Sequence, residues 1–300
     1  MYEIALSVQS CLRANTAVSV AWVVDTEGLG EVDLTNALAL TPGGGRVGSL
    51  LAGAVDGQLV ENPIGGTGRL VDLQVSDVDA LIAGLPSGGH VRCLLVPADR
   101  LPGELWDRLV EREPICLVTR VEDGNVGATT LFTRETIHDA PEAAAVMFTR
   151  GVSNTAVGAE AVVTVLWPVP TLVVVGGGAI ADALAAMAGL LGWHSRVVGG
   201  IDDATAVITR LAGIDSLVVM GHEPEDAGPA LMAGLASRVG YLGGLGGHRV
   251  QQARAEWLAE RGITDVSRVH GPAGLDIGAI TPAEIALSIL AEAVATHSTP

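Results

Sequence analysis

A chain of 300 residues, 49% hydrophobic yet only 3% aromatic, can build a full core from Ala, Val, Leu and Ile without disulfide or metal staples. Its formal charge of −17, with no basic run and no aromatic platform, argues against nucleic acid and anionic membranes as partners, because neutralising phosphate takes clustered cations. All 17 basic residues are arginine, which excludes a Walker A phosphate loop, a Schiff-base lysine and a lysine general base.

The first residues, MYEIALSVQS, lack the basic region and long apolar core of a secretory signal. Cys11, Cys93 and Cys116 are odd in number and form no CxxC pair, so neither a disulfide framework nor a zinc ribbon is expected, and a cytoplasmic location fits. Residues 3–14 read as a short amphipathic helix. Residues 17–24, 35–41, 46–53 and 69–75 read as β-stretches split by glycine-rich turns. A Ser-capped helix over 76–85, a strand over 90–98, a helix over 101–113 and paired strands at 115–121 and 127–133 follow. A helix near 140–150 and a strand at 161–166 close this half. Cys93 and Cys116 fall in apolar strands as packing residues, and Glu27 and Asp56 read as turn acids.

Trp167-Pro168-Val169-Pro170 marks the boundary, since proline cannot donate to a central ladder. The expected organisation is a mixed α/β N-terminal domain with a connecting segment over 1–166, and a Rossmann-like, doubly wound parallel sheet over 167–300. In the second half, strands at 171–175, 194–198, 216–221 and 237–243 alternate with helices, the rhythm of a sheet buried on both faces. Pro168, Pro170, the glycine triplet and Asp182 interrupt the apolar run 161–193, which therefore reads as a buried strand and helix, not a membrane span. Thr281, Pro282 and Glu284 form a capping box for a closing helix over 281–295.

The candidate site lies in this second half. Gly176, Gly177 and Gly178 with Ala181 fit GxGxx(G/A) between strand and helix, where free N–H groups hold an anion. The acid that normally binds ribose is missing, because the next strand ends in Gly199-Gly200. Asp202 either reaches back to a ribose or, the stronger reading, opens the next helix together with Asp203. NAD(P) binding by a Rossmann oxidoreductase is thus the alternative rather than the leading reading. Ligands of such sheets bind beyond the carboxyl ends of the strands, where four loops are expected to meet. His222 either faces that crevice or bonds to a loop carbonyl. Gly244, Gly246 and Gly247 can present N–H groups to a phosphate, with Arg249 and His248 as further donors; the alternative is a solvated connection. An arginine at a helix start, against the dipole, hints at an anionic partner. Asp276 belongs to a second ligand loop or to the turn before the last helix. No HExxH, GxSxG or clustered metal-ligand spacing occurs, so no catalytic residue and no metal ligand is assigned.

VVMGHEPED (218–226), YLGGLGGHRVQQARAEWL (241–258) and HGPAGLDIGAITPAEIALSILAEAVA (270–295) together resemble the C-terminal domain of the XdhC/CoxI family of molybdenum-hydroxylase accessory proteins. EAVVTVLWPVPTLVVVGGGAIADAL (160–184) resembles the entry to that domain. AWVVDTEG (21–28) followed by GSLLAGAVDGQLVE (48–61) resembles the family's N-terminal domain in outline. The resemblance implies a chaperone rather than a conventional enzyme, one that binds molybdenum cofactor and delivers it to a xanthine or carbon monoxide dehydrogenase-type hydroxylase. The expected partners are that hydroxylase and a second copy of the chain, as a homodimer. Two departures bear on chemistry. Ala54 stands where the family has a cysteine, and Ala179 stands where its glycine loop has a histidine. A thiolate can contact molybdenum or handle sulfide; a methyl group cannot.

Overall fold

The computed structural model describes residues 1–30, 32–61, 66–221 and 223–298. The chain divides into two compact units, Met1–Pro168 and Val169–Pro300.

The first unit runs α1 (Ala5–Arg13), β1 (Ser19–Glu27), β2 (Ala37–Leu40), β3 (Arg46–Gly48), α2 (Asp56–Val60), β4 (Arg69–Val75), α3 (Asp77–Ala83), β5 (Gly89–Pro97), α4 (Leu105–Val110), β6 (Ile115–Glu122), β7 (Asn125–Phe132), α5 (Glu142–Thr149), β8 (Asn154–Val157) and β9 (Ala161–Leu166). Its strands form one nine-stranded sheet in the order β3-β2-β1-β5-β4-β7-β6-β9-β8, and the paired neighbours are antiparallel. β1 shows why residues 20–24 are apolar without a break. Val20, Trp22 and Val24 enter one core with α1 and α4, while Ala21 and Val23 enter another with Leu59 of α2 and Ala80 of α3. A strand buried on both faces has no polar side to alternate with. The sheet also curls. Trp22 Nε1 donates to Thr164 Oγ1 at 3.1 Å, and Thr155 Oγ1 donates to the Val24 carbonyl at 2.8 Å, which brings β8 and β9 back to β1.

Differences from the sequence expectation have local causes. Of residues 46–53 only the first three are strand. Leu51 and Ala52 turn to positive φ, and the Leu50 N–H donates to the buried Asp56 carboxylate at 2.9 Å. The apolarity of this stretch thus marks a buried turn. The helix expected over 101–113 is the shorter α4, beginning after the Pro102 turn and followed by Arg112 at φ +56°. Strand β8 was not expected at all.

The second unit runs β10 (Thr171–Val175), α6 (Ala179–Leu190), β11 (His194–Val198), α7 (Ile201–Ile208), β12 (Ser216–Val219), α8 (Pro224–Ala236), β13 (Tyr241–Gly244), α9 (His248–Ala259), β14 (Val269–His270) and α10 (Pro282–Ser298). Its five strands are parallel, in the order β11-β10-β12-β13-β14. Leu172 and Val174 pack beneath α6 and α10. Val173 and Val175 face the core that α7, α8 and α9 cover. This three-layer, Rossmann-like arrangement matches the expected fold class, with the two-residue β14 as an unforeseen edge. No described helix is long and apolar enough to cross a membrane.

The closing helix has the expected cap. Thr281 Oγ1 accepts from the Glu284 N–H at 3.3 Å, and Glu284 Oε2 accepts from the Thr281 and Ile280 N–H groups at 2.8 and 2.9 Å. These contacts hold the Glu284 carboxyl below its usual pKa.

Candidate functional site

Parallel register sets the strand ends level. Val198 of β11, Val175 of β10, Val219 of β12 and Gly244 of β13 are successive neighbours, so the loops that follow them leave the sheet together. Each loop is tied to its neighbour by its first free amide. Gly176 N–H donates to Val198 O, Met220 to Val175 O, Leu245 to Val219 O and Ala273 to Gly244 O, at 2.9 to 3.1 Å. The chain runs outward in one direction from β10 to β11 and in the other from β12, which puts the reversal between β10 and β12. Crevices at such reversals are where open α/β sheets take ligands.

Four helices start at this end, and their first turns differ in charge. α6 carries Asp182, α7 opens with Asp202 and Asp203, and α8 carries Glu225 and Asp226. A carboxylate already offsets the positive dipole end at each of these three. α9 has no acid in its first turn, and its first two residues are the exposed His248 and Arg249. The N–H groups of Gly247, His248 and Arg249 have no acceptor among the described residues; the next two, of Val250 and Gln251, bond to Gly247 O at 2.9 and 3.2 Å. The start of α9 is therefore where this crevice can accept an anion.

The glycine triplet leads into α6 with a sharp turn. Gly176 has φ +124°, and a Cβ there would sit 2.8 Å from the Met220 Cβ. Gly177 and Gly178 face open space, and Ala181 is fully buried. Gly199 and Gly200 end β11 without an acid. Asp202 sits in the first turn of α7, although its side chain lies outside the described residues, as does His222 altogether. Gly244 is buried, Gly246 half-buried and Gly247 exposed. Asp276 is exposed in the loop that follows β14. The two strand cysteines behave as expected, but the two acids are not in turns: Glu27 ends β1 opposite His90, and Asp56 is the buried first residue of α2. Burial pushes the Cys93 and Cys116 thiols up to about 12.

Two polar networks behind the loops went unread in the sequence. In the first, Gln251 Nε2 donates to the Gly244 and Gly246 carbonyls, both at 2.8 Å, and its Oε1 accepts from Arg254 Nη1 at 3.2 Å. Arg254 is 1% exposed. Its Nη2 donates to Gly221 O, its Nε has no partner, and burial lowers its pKa. In the second network, Tyr241 Oη and the Gly274 N–H both donate to Glu292 Oε2, at 2.7 and 2.8 Å. His270 Nδ1 lies 3.1 Å from Glu292 Oε1, and the Tyr241 and His270 rings meet at a tilt of 39° with centroids 4.8 Å apart. Burial alone would raise the Glu292 pKa, but the bonds from Tyr241, Gly274 and His270 outweigh it and leave it below the usual carboxylate value. Burial and the Glu292 carboxylate together push the Tyr241 hydroxyl up. A one-in-three or one-in-four spacing on α9 joins Gln251 to Arg254, a signal present in the sequence; nothing local joins Tyr241, His270 and Glu292.

Among the described residues no group of three or more His, Cys, Asp or Glu could hold a metal ion. Ala54 packs against the second core of the first unit.

Residues 172–293 match the family model described as the XdhC Rossmann domain. A 56-residue stretch is 43% identical to a protein of Escherichia coli (strain K12) described as uncharacterized protein YqeB, and it spans 18% of this chain and 10% of that protein. A crystal structure described as a xanthine dehydrogenase from Bacillus halodurans aligns over 97% of this chain and 95% of its own, at 18% identity and a TM-score of 0.42.

Proposed function

We propose that this chain is an accessory protein of a xanthine dehydrogenase-type molybdenum hydroxylase, holding molybdenum cofactor and passing it to that enzyme, a reading supported by the match of residues 172–293 to the XdhC Rossmann domain model. The observation that carries the reading is the start of α9, with His248, Arg249 and three amides that have no acceptor among the described residues, in a crevice whose other helix starts are acidic. The phosphate end of a pterin cofactor fits such donors, since aligned amides and a guanidinium both favour a dianion. The cofactor brings the metal chemistry, which the hydroxylase uses. The residues of this chain bind and orient it. With Ala54 in place of a cysteine and no metal-binding cluster among the described residues, holding by the phosphate end is the mode that the side chains support.

The dinucleotide alternative asks for an acid at the end of β11, where Gly199 and Gly200 stand. That absence favours the pterin. The transfer step is tested by incubating cofactor-loaded protein with a cofactor-free xanthine dehydrogenase-type hydroxylase under anaerobic conditions. The reading expects hydroxylase activity to appear faster than with the same amount of free cofactor. Activity no faster than with free cofactor contradicts delivery.

A further inference from the structure

The start of α9 is shaped from behind. Gln251 has one amide group to place, and its surroundings leave one orientation. Two carbonyls, of Gly244 and Gly246, face Nε2, and a guanidinium donor faces Oε1. In a trans peptide the C=O and the following N–H point opposite ways. Turning the Gly246 carbonyl inward to Gln251 therefore turns the Gly247 N–H outward, away from the helix and toward the crevice.

Arg254, one turn further along, completes the arrangement. Helical side chains lean toward the N-terminus, and this one reaches past Gln251 to the loops. A Cβ on Gly244 would lie 2.9 Å from Nη1, and Nη2 bonds to Gly221 O at the end of the neighbouring loop. Gly271 is packed as closely, since a Cβ there would lie 2.6 Å from Gln251 Oε1. The guanidinium is thus nine-tenths and more buried and, among the described residues, has neutral acceptors only and keeps Nε without a partner. A buried cation with no carboxylate beside it among the described residues is a costly thing for a fold to keep. It is understandable where an anion regularly sits above it.

We infer that Gln251 and Arg254 are the positioning residues of an anion site at the start of α9, one that takes a phosphate monoester or pyrophosphate group on the Gly247, His248 and Arg249 amides. Gln251 aims the loop, and Arg254 supplies positive charge from below. The inference rests on the cofactor reading above for the identity of the natural ligand, but not for the existence of the site.

Inorganic pyrophosphate is the probe, titrated calorimetrically into the full chain as wild type, Gln251→Leu, Arg254→Met and Arg254→Lys, with the thermal midpoint of each measured without ligand. Gln251→Leu and Arg254→Met are expected to bind about tenfold more weakly, the loss of one charge-assisted contact or its equivalent in loop order. Arg254→Met is expected to lower the thermal midpoint, because the Gly221 carbonyl and Gln251 Oε1 lose their donor, so affinities are compared well below the midpoint of each variant. Arg254→Lys, which keeps the charge, is expected to recover most of the affinity, an effect that a purely structural arginine would not give. Should a variant fail to fold, amide resonances of the wild type decide: those of Gly247, His248 and Arg249 shift on titration while those of Gly177 and Gly178 stay. Wild-type protein that binds no pyrophosphate overturns the site, as do variants that bind like wild type or a lysine variant as weak as the methionine one. Pyrophosphate binding without molybdopterin binding leaves the site standing and removes only the cofactor reading. Molybdopterin binding that pyrophosphate does not compete for removes the site and leaves that reading.

Discussion

The carboxylate of Glu292 ties β13, the end of β14 and the loop after it to α10, through Tyr241, His270 and the Gly274 amide. Its folded-state pKa lies below its unfolded one, by virtue of those bonds and against the burial that opposes them. A depressed carboxylate contributes stability that is complete above the unfolded value, about 4.3, and is lost as pH falls through the folded value. Glu292→Gln is therefore expected to cost about 1–3 kcal/mol at neutral pH and to flatten the fall in stability below about pH 4.3. Urea unfolding of both proteins across that range checks it; parallel acid limbs would refute the assignment. The sequence showed Glu292 only as a charged position on a largely apolar helix. Its partners lie 18 to 51 residues away, and pairing over such distances leaves no local pattern. Gln251 and Arg254 were nearer to legible, but a polar helix start reads the same whether its side chains face solvent or fold back onto loops.

At the scale of elements, what could be read was what is decided locally. The cap of α10 is one case, since Thr281, Pro282 and Glu284 satisfy the first amides of the helix among themselves. Thr281→Ala is expected to destabilise by about 1 kcal/mol, visible as a lowered thermal midpoint; an unchanged midpoint would mean the box contributes nothing in this context. The Ser76 cap of α3, which accepts from the Asp79 N–H at 3.1 Å, was equally plain. β10, β11 and β4 were read with their bounds because short apolar runs between turn residues have few other solutions. The stretch 46–53 was misread for the converse reason. Apolar composition says that Leu50 and Leu51 are buried, but not that they are buried in a turn. β8 and β14, at four and two residues, are too short to show a period and exist only because a neighbouring strand offers them a ladder.

On the scale of the whole molecule, composition spoke to what the protein avoids more than to what it does. A formal charge of −17 repels anions at long range, so any anion the protein holds must be held by local groups strong enough to oppose that field. The start of α9 gathers such groups, and the acidic first turns of α6 and α8 leave the neighbouring helix starts unsuited. The strand order of the first unit was beyond reach of the sequence, because β1 pairs with both β2 and β5 and the sheet curls back through Trp22 and Thr155. The layout of the second unit was legible from its alternating rhythm, and with it the end at which open α/β sheets take ligands.

The most direct measurement is anaerobic equilibrium ultrafiltration of the protein with free molybdenum cofactor, with NAD+ as competitor and Arg249→Ala alongside. The account predicts that the pterin is retained, that NAD+ does not displace it, and that Arg249→Ala retains about tenfold less, as expected for the loss of a charge-assisted contact. Retention of NAD+ with no pterin would contradict it and make the glycine triplet a dinucleotide site.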